Sequence, residues 1–196
     1  MASIPVNPLL GFGILVGGIV VATLASDVRL ALLALVAQYA GSAFVAASAS
    51  AQTVVWLHIA VGGMATAMLY LGLRARPSPR AGGAPVLGLP FRAAALLMAL
   101  AACVLLALRW PLPYAGDGIS LACFALVGGF VAQMGLFREP ERVGVATLSL
   151  LNAAVVYAQA AGGGPLLTAL LLCGHLLTGL ASGHLAAVWG ASEGEG

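Results

Sequence analysis

The sequence contains no lysine, and charged residues of all kinds make up only 7% of its 196 residues. Charged residues are about a quarter of an ordinary soluble domain, whose polar surface keeps it in solution. With 62% hydrophobic residues, this chain has too few polar side chains to form such a surface. The composition predicts an all-α integral membrane protein, because helices satisfy their own backbone hydrogen bonds in a bilayer. A net charge of +2 is too small to indicate nucleic acid.

Cysteine is scarce as well, and Cys103, Cys123 and Cys173 lie in apolar runs without CxxC spacing. We interpret them as small buried residues rather than as disulfide or metal ligands. The first residues, MASIPVNPLLGFGILVGG, have no basic n-region and no A-x-A cleavage site, so we interpret them as the start of the first span. Abundant alanine without lysine is typical of a GC-rich bacterial genome, and the expected location is the bacterial cytoplasmic membrane.

The apolar runs are long enough to predict seven transmembrane helices, since a bilayer core of about 30 Å takes about 20 helical residues. The predicted spans are 9–25, 30–48, 53–73, 93–108, 119–137, 143–160 and 165–189. They divide the chain into a three-helix half (1–73), a basic loop (74–92), a connector helix with an outer loop (93–116), a second three-helix half (117–190) and an acidic tail (191–196).

The arginines predict how these helices are oriented, because basic residues in short loops mark the cytoplasmic side. Arg109 lies alone on one side, and seven arginines lie on the other: Arg29, Arg74, Arg76, Arg80, Arg92, Arg138 and Arg142. This distribution places the N-terminus outside and the C-terminus in the cytoplasm. Trp110, Tyr114 and Trp189, near helix ends, fit an interfacial aromatic belt.

The two three-helix halves resemble each other in order and spacing. Each has an arginine turn after its first helix and an uncharged turn after its second. Three pairs of features correspond, namely the glycine pairs 17–18 and 128–129, Gln38 and Asn152, and the H-x-x-x-G runs that begin at His58 and His175. Since one helix separates the halves, both would insert in the same direction as a parallel repeat. Alternatively, two alanine-rich helix triplets can look alike without duplication.

No charged residue falls in the middle of a predicted span, where residues that carry protons or ions are usually found. All acidic residues lie in predicted loops or the tail: Asp27, Asp117, Glu139, Glu141, Glu193 and Glu195. Neutral polar residues form one stripe on the sixth helix and another, with Thr168, Gly179 and Ser182, on the seventh. These side chains could join helices by hydrogen bonds, or could line a hydrated proton path formed by Ser149, Asn152, Gln159, His175, His58 and Gln38.

The histidines leave further alternatives open. His58 and His175 lie on different helices and could ligate haem b as a pair or take part in a proton relay. His175 and His184 point to opposite faces of one helix, so they cannot chelate one metal together. We expect no catalytic residues, because no Ser/His/Asp or Cys/His set can be assembled from acidic residues confined to loops. No metal site and no cofactor is expected in this chain.

Small residues in the first helix predict close packing. Gly13 and Gly17 are spaced as Gly-x-x-x-Gly, which lets two helix backbones approach each other. Other polytopic membrane subunits could dock there, and packing within the chain is the alternative.

From residue 128 to 180 the sequence resembles the small K-type subunit of respiratory complex I and the C subunit of Mrp antiporters. The resemblance rests on three helices, a basic turn after the first, and the run Leu148-Ser149-Leu150-Leu151-Asn152-Ala153-Ala154. The seven-helix layout is similar to the E component of formate-hydrogenlyase-type, group 4 membrane-bound hydrogenases. Two positions depart from these families. Leu148 stands where the K-type subunit has a membrane glutamate, and Gly62, Gly63 and Met64 follow Trp56 where the E component would carry a basic residue.

The resemblance implies a non-catalytic membrane-arm subunit of a redox-driven, proton- or ion-translocating complex. Having lost the family's ionisable groups, the chain would support a neighbouring antiporter-like subunit, in contact with other polytopic subunits and membrane lipid. The alternative is a self-contained small transporter with a site in the middle of the membrane, between the two three-helix halves.

Overall fold

The computed structural model describes residues 7–47, 49–75 and 88–192, with side chains as far as residue 188. Seven helices occupy these ranges: α1 (Pro8–Leu24), α2 (Val28–Ala46), α3 (Gln52–Arg74), α4 (Leu89–Arg109), α5 (Asp117–Leu136), α6 (Pro140–Ala160) and α7 (Pro165–Ser192). Six are long and apolar enough to cross a membrane, and α1 is a shorter apolar helix. The predicted all-α membrane architecture is confirmed, whereas the direction in which the helices cross the bilayer stays a prediction.

The predicted starts of the fourth and sixth helices, at residues 93 and 143, are too late. Helix α4 begins at Leu89 and α6 at Pro140, and each carries a proline in its first two positions. Proline breaks a helix in its interior, because it lacks the backbone N–H group that would donate a hydrogen bond there. In the first turn the N–H groups have no partner within the helix, so proline is tolerated. The prolines were therefore mistaken for loop residues when they mark helix starts.

This shift moves charged residues out of the predicted loops and into helices. Arg92 lies in the first turn of α4, and Glu141 and Arg142 lie in the first turn of α6, with each of the three only 3% exposed. The prediction that every acidic residue lies in a loop or the tail is wrong for Glu141, and also for Asp117, the first residue of α5.

Some sequence predictions fall outside the described residues. They concern Arg76 and Arg80 of the basic loop, the acidic tail with Glu193 and Glu195, and the side chain of Trp189. The other two residues of the predicted aromatic belt, Trp110 and Tyr114, are exposed at the end of α4, as side chains at a membrane interface would be.

The helices of the two halves pack in corresponding pairs. Helix α1 contacts α5, α2 contacts α6, and α3 contacts α7, while each half also packs within itself. We call the end of the bundle that carries Arg29, Arg74, Arg92, Arg138 and Arg142 the arginine end, and the other the opposite end. A parallel repeat would give this pairing, and duplication of the halves stays a prediction.

Glycines allow several of these helices to approach closely. A Cβ atom on Gly41 of α2 would lie 2.7 Å from the carbonyl oxygen of Gly11 in α1, and one on Gly179 of α7 would lie 2.7 Å from that of Ala65 in α3. Such distances leave room for a hydrogen atom only. Small residues at helix interfaces are the usual means of close packing in membranes, where lipid competes for apolar surface.

The predicted packing motif, Gly13 and Gly17, does not lie in one of these close helix contacts. Both residues are exposed, and a Cβ atom on either would meet no atom of the described ranges within 4 Å. The alternative that they pack within the chain is therefore wrong, and Gly11 and Gly18 make the close contacts of α1 instead. Docking of another membrane subunit on Gly13 and Gly17 stays a prediction.

These two sets of glycines give matched variants. We expect Gly41→Ala to lower the free energy of unfolding by about 1–3 kcal/mol, because the added methyl group must push α1 away from α2. Gly13→Ala has open space and should be neutral or slightly stabilising, since alanine favours helix over glycine. Thermal unfolding of both variants in the same detergent measures the difference, and equal midpoints would show that the α1–α2 contact is not tight.

Candidate functional site

Seven polar or titratable side chains meet at the centre of the bundle, where α2, α3, α6 and α7 adjoin. We call this group the central polar cluster, and all of its members are fully buried: Gln38, Tyr39, Ser42, His58, Ser149, Asn152 and His175. Burying polar groups in an apolar interior is unfavourable unless they are hydrogen-bonded. Their convergence from four helices makes this cluster the candidate functional site.

Asn152 of α6 connects three helices through a single oxygen atom. Its Oδ1 accepts a hydrogen bond of 2.9 Å from Ser42 Oγ of α2 and lies 2.8 Å from His58 Nε2 of α3. A carbonyl oxygen has two lone pairs and accepts both bonds. In this arrangement His58 carries its proton on Nε2, which leaves His58 Nδ1 as an acceptor.

His175 of α7 completes an aromatic group with Tyr39 and His58. The centroid of the Tyr39 ring lies 5.8 Å from that of His58 and 5.5 Å from that of His175, and the imidazole centroids are 6.5 Å apart. His175 Nδ1 lies 2.7 Å from the carbonyl oxygen of Leu171, so Nδ1 carries the proton and Nε2 is the acceptor.

Five polar atoms of the central polar cluster have no hydrogen-bond partner among the residues that the structure describes. The acceptors are His58 Nδ1 and His175 Nε2, and the groups that can donate are Tyr39 Oη, Gln38 Nε2 and Asn152 Nδ2. Donors and acceptors thus occur together, which is the condition under which buried water bridges polar groups, with two to four bonds for each molecule. Bridged by water in this way, the side chains of the cluster could form a short hydrogen-bonded chain along which protons can move.

A row of hydrogen bonds extends from the cluster along α2 and α6 as far as the α2–α3 turn. Ser149 Oγ donates to Gln38 Oε1 over 2.8 Å, and Ser50 Oγ donates to Gln159 Oε1 over 2.9 Å. The two residues of each pair are 111 and 109 positions apart in the sequence, respectively. Ser42 and Asn152, which lie between these pairs, are 110 positions apart. The near-constant separation shows that α2 and α6 run side by side in the same direction.

The six residues predicted to line a path therefore occupy two places. Gln38, His58, Ser149, Asn152 and His175 all belong to the central polar cluster. Gln159 lies on the same α2–α6 row but near the opposite end, where it borders a pocket.

This pocket, of about 400 Å³, lies between the α2–α3 turn and the start of α7. Its wall is mostly apolar, with polar contributions from Ser50, Gln159 and Thr168. Leu172 forms part of the wall and packs with Val61 and Val155 in a small apolar cluster. Since Leu172 is one helical turn before His175, an apolar layer separates the pocket from the imidazoles.

Towards the arginine end the cluster is closed by a larger apolar group. Leu35, Leu69, Val145 and Leu148 pack together there with Tyr39, and all five side chains are fully buried. Leu148, at the position where the K-type subunit has a glutamate, is thus part of an apolar layer rather than of the polar cluster. The central polar cluster consequently lies between two apolar layers.

Sequence reasoning missed Tyr39 and Ser42. Tyr39 fits because Gly62, one turn after His58, has no side chain where the phenol ring lies. The sequence did contain a signal for this contact: Gly62 is the glycine of the H-x-x-x-G run that begins at His58, and it makes room for a large neighbouring side chain. Gln133 of α5 was also missed: it is 1% exposed, and neither of its amide atoms has a partner.

The arrangement of rings bears on the haem alternative. In bis-histidine ligation the porphyrin plane lies midway between the two imidazoles. The Tyr39 ring is nearly equidistant from the two imidazole rings, 5.8 Å from His58 and 5.5 Å from His175, so it occupies space beside both that a haem held by the two histidines would need. Haem would therefore have to displace Tyr39. Within the described residues, no group of three or more His, Cys, Asp or Glu side chains could hold a metal ion.

Comparison of the chain with protein-family models, curated proteins and solved structures finds no match to any of them.

The hydrogen bonds of Asn152 can be tested by replacing it with leucine, which has the same branched shape but no hydrogen-bonding atoms. We expect Asn152→Leu to lower the free energy of unfolding by about 1–3 kcal/mol, because His58 Nε2 loses its partner in a buried site. Thr147→Val on the same helix is the control, since Thr147 Oγ1 bonds only to the carbonyl of Val143. Thermal unfolding in detergent measures the midpoint of each variant. A wild-type midpoint for both would contradict the hydrogen-bonding role of Asn152.

Proposed function

We propose that this chain is a membrane-arm subunit of a redox-driven proton- or ion-translocating complex, related to complex I and to group 4 membrane-bound hydrogenases. In this role it supports a neighbouring antiporter-like subunit, and the redox chemistry takes place in other subunits. The observation that carries the proposal is the central polar cluster, in which two histidines and a tyrosine are fully buried among four helices.

The chemistry of the cluster suits proton transfer better than ion binding. It supplies imidazole nitrogens, a phenol and amide groups, and none of its members carries a fixed charge. Imidazole accepts a proton on one nitrogen and releases one from the other, so His58 and His175 can pass protons along a chain of water. A metal cation, in contrast, would find no carboxylate among these seven side chains.

The positions of the buried charges support an auxiliary role. Among the described residues, the buried charged side chains are Arg92, Glu141 and Arg142, and all three lie in first turns at the arginine end. Proton-pumping subunits usually hold ionisable groups within the membrane, where they are rare and functional. With neutral groups only in its centre, this chain would relay or hydrate rather than drive proton movement.

The apolar layers on both sides of the cluster fit a gated path. Constrictions lined by apolar side chains block water and open when they become wetted. Leu172 and Val155 form such a layer between the pocket and the cluster. Conformational change in a neighbouring subunit could open this layer, which would connect His58 and His175 to the pocket.

Isolation of the native assembly tests the subunit role. We expect the tagged chain, solubilised in mild detergent, to co-purify with antiporter-like membrane subunits and with iron–sulfur or quinone-reducing subunits, as identified by mass spectrometry. A tagged membrane protein of unrelated fold, purified in parallel, sets the background. A monodisperse chain recovered alone after crosslinking in intact membranes would contradict the proposal.

Two histidine variants on α7 test whether the central polar cluster passes protons. We expect His175→Ala to lower the number of protons translocated per electron in membrane vesicles, because a group that passes protons along the cluster is lost, while electron transfer continues. His184→Ala should leave both rates unchanged, because His184 is exposed on the same helix. Equal proton translocation by the two variants would show that the cluster is only structural.

The pocket favours a second candidate, a self-contained transporter. Its volume of about 400 Å³ is within the range of small-molecule sites, and it opens between the two three-helix halves. A substrate that stabilised the purified chain alone, with loss of the effect in Gln159→Leu, would favour this function over the subunit role.

A further inference from the structure

Two arginines from different helices converge on the turn between α1 and α2. Arg142 Nη2 of α6 donates to the carbonyl oxygen of Ser26 over 3.0 Å, and Arg92 Nη2 of α4 lies 3.5 Å from Ser26 Oγ. Both guanidinium groups therefore reach the same residue. Arg92 and Arg142 are each 3% exposed, so two positive charges are buried close together at the arginine end.

Arg142 is well accommodated in this position. Besides Ser26 it donates to the carbonyl oxygens of Ala22 and Ala25, which belong to the last turn of α1 and its C-cap. Carbonyl groups at a helix C-terminus are unpaired and carry partial negative charge, so they stabilise a guanidinium. Its planar group also stacks over the Phe137 ring at 4.7 Å, and three acidic residues interact with it electrostatically: Asp27, Glu139 and Glu141.

Arg92 has no such partners. Its Nε and Nη1 atoms are buried without a hydrogen bond, and its contact with Ser26 is at the limit of hydrogen-bond distance. Among the residues that the structure describes, the contact of Nη2 with Ser26 is the single hydrogen bond of this guanidinium. A buried charge without a partner is strongly unfavourable, and the nearby charge of Arg142 adds repulsion. An anion would remove both penalties.

We propose that Arg92, with the charge of Arg142 behind it, binds the phosphate group of an anionic membrane lipid at the α1–α2 turn. A phosphate oxygen accepts charge-assisted hydrogen bonds from a guanidinium, whose planar donors match its geometry. This site is independent of the central polar cluster and of the proposed function.

The surroundings of Arg92 favour a lipid as the source of the phosphate. Leu89 and Phe91, on either side of Pro90 in the same turn, are more than half exposed, and Ser26 is exposed as well. Apolar surface beside a buried guanidinium suits an acyl chain beside a phosphate headgroup. Headgroups of anionic lipids lie at this level of a membrane helix, where they attract basic residues.

Thermal unfolding of the purified chain in a neutral detergent tests the site. The additives are phosphatidylglycerol, phosphatidylcholine and inorganic phosphate, each over a range of concentrations. We expect phosphatidylglycerol to raise the unfolding midpoint in a saturable manner, and phosphatidylcholine to have no such effect. A comparable rise with inorganic phosphate would identify a free anion as the ligand and overturn the assignment to lipid.

Two variants at the arginine end locate the effect. We expect Arg92→Gln to raise the half-saturating concentration of phosphatidylglycerol about tenfold or more, since the charge-assisted bonds are lost. Arg29→Gln removes an equal charge from an exposed position at the same end and should keep the wild-type value. The proposal is overturned if Arg92→Gln and Arg29→Gln respond alike, or if phosphatidylcholine stabilises as well as phosphatidylglycerol.

A third variant covers the case in which Arg92→Gln does not fold. Arg92→Lys keeps the positive charge but loses the planar set of donors, so it should bind phosphatidylglycerol more weakly than the wild type. An unchanged half-saturating concentration in Arg92→Lys would contradict the proposed contact.

Discussion

The hydrogen bonds of Asn152 join the two halves of this protein. Its side-chain oxygen binds Ser42 of α2 and His58 of α3, so that one atom of the second half fixes two helices of the first. Hydrogen bonds between membrane helices contribute only about 0.6 kcal/mol each on average. Their larger effect here is on position, because every polar group buried at this depth must find a partner or water. The orientation of α2, α3 and α6 depends on that requirement.

Close packing of small residues makes this hydrogen bonding possible. Gly62 leaves space for the Tyr39 ring, which then lies against both His58 and His175. Gly41 and Gly179 bring α2 towards α1 and α7 towards α3. Bulky side chains at these positions would hold the helices apart, and the polar side chains of the cluster could no longer reach one another. Packing and polarity are thus interdependent in the centre of the bundle.

The two buried polar regions of the protein differ in their chemistry. The central polar cluster is neutral, enclosed by apolar layers and supplied with both donors and acceptors. The region around Arg92 and Arg142 carries fixed positive charge at the arginine end of the bundle. The neutral groups of the first region carry no charge that has to be balanced, whereas the fixed charges of the second need a counter-ion. Proton transfer in the first region and anion binding in the second stay proposals.

The sequence by itself determined the number and approximate limits of the helices, because length and hydropathy are local properties of the chain. It also identified most of the polar residues that meet, since helical periodicity places Ser149, Asn152 and Gln159 on one face. Only the tertiary structure decided that Gln159 lies apart from the others, beside the pocket, and that Tyr39 belongs with the histidines. The place of Gln159 depends on the pairing of α2 with α6, between residues about 110 positions apart. The place of Tyr39 depends on the contact of α2 with α3 and α7, and no local pattern specifies which helix faces which.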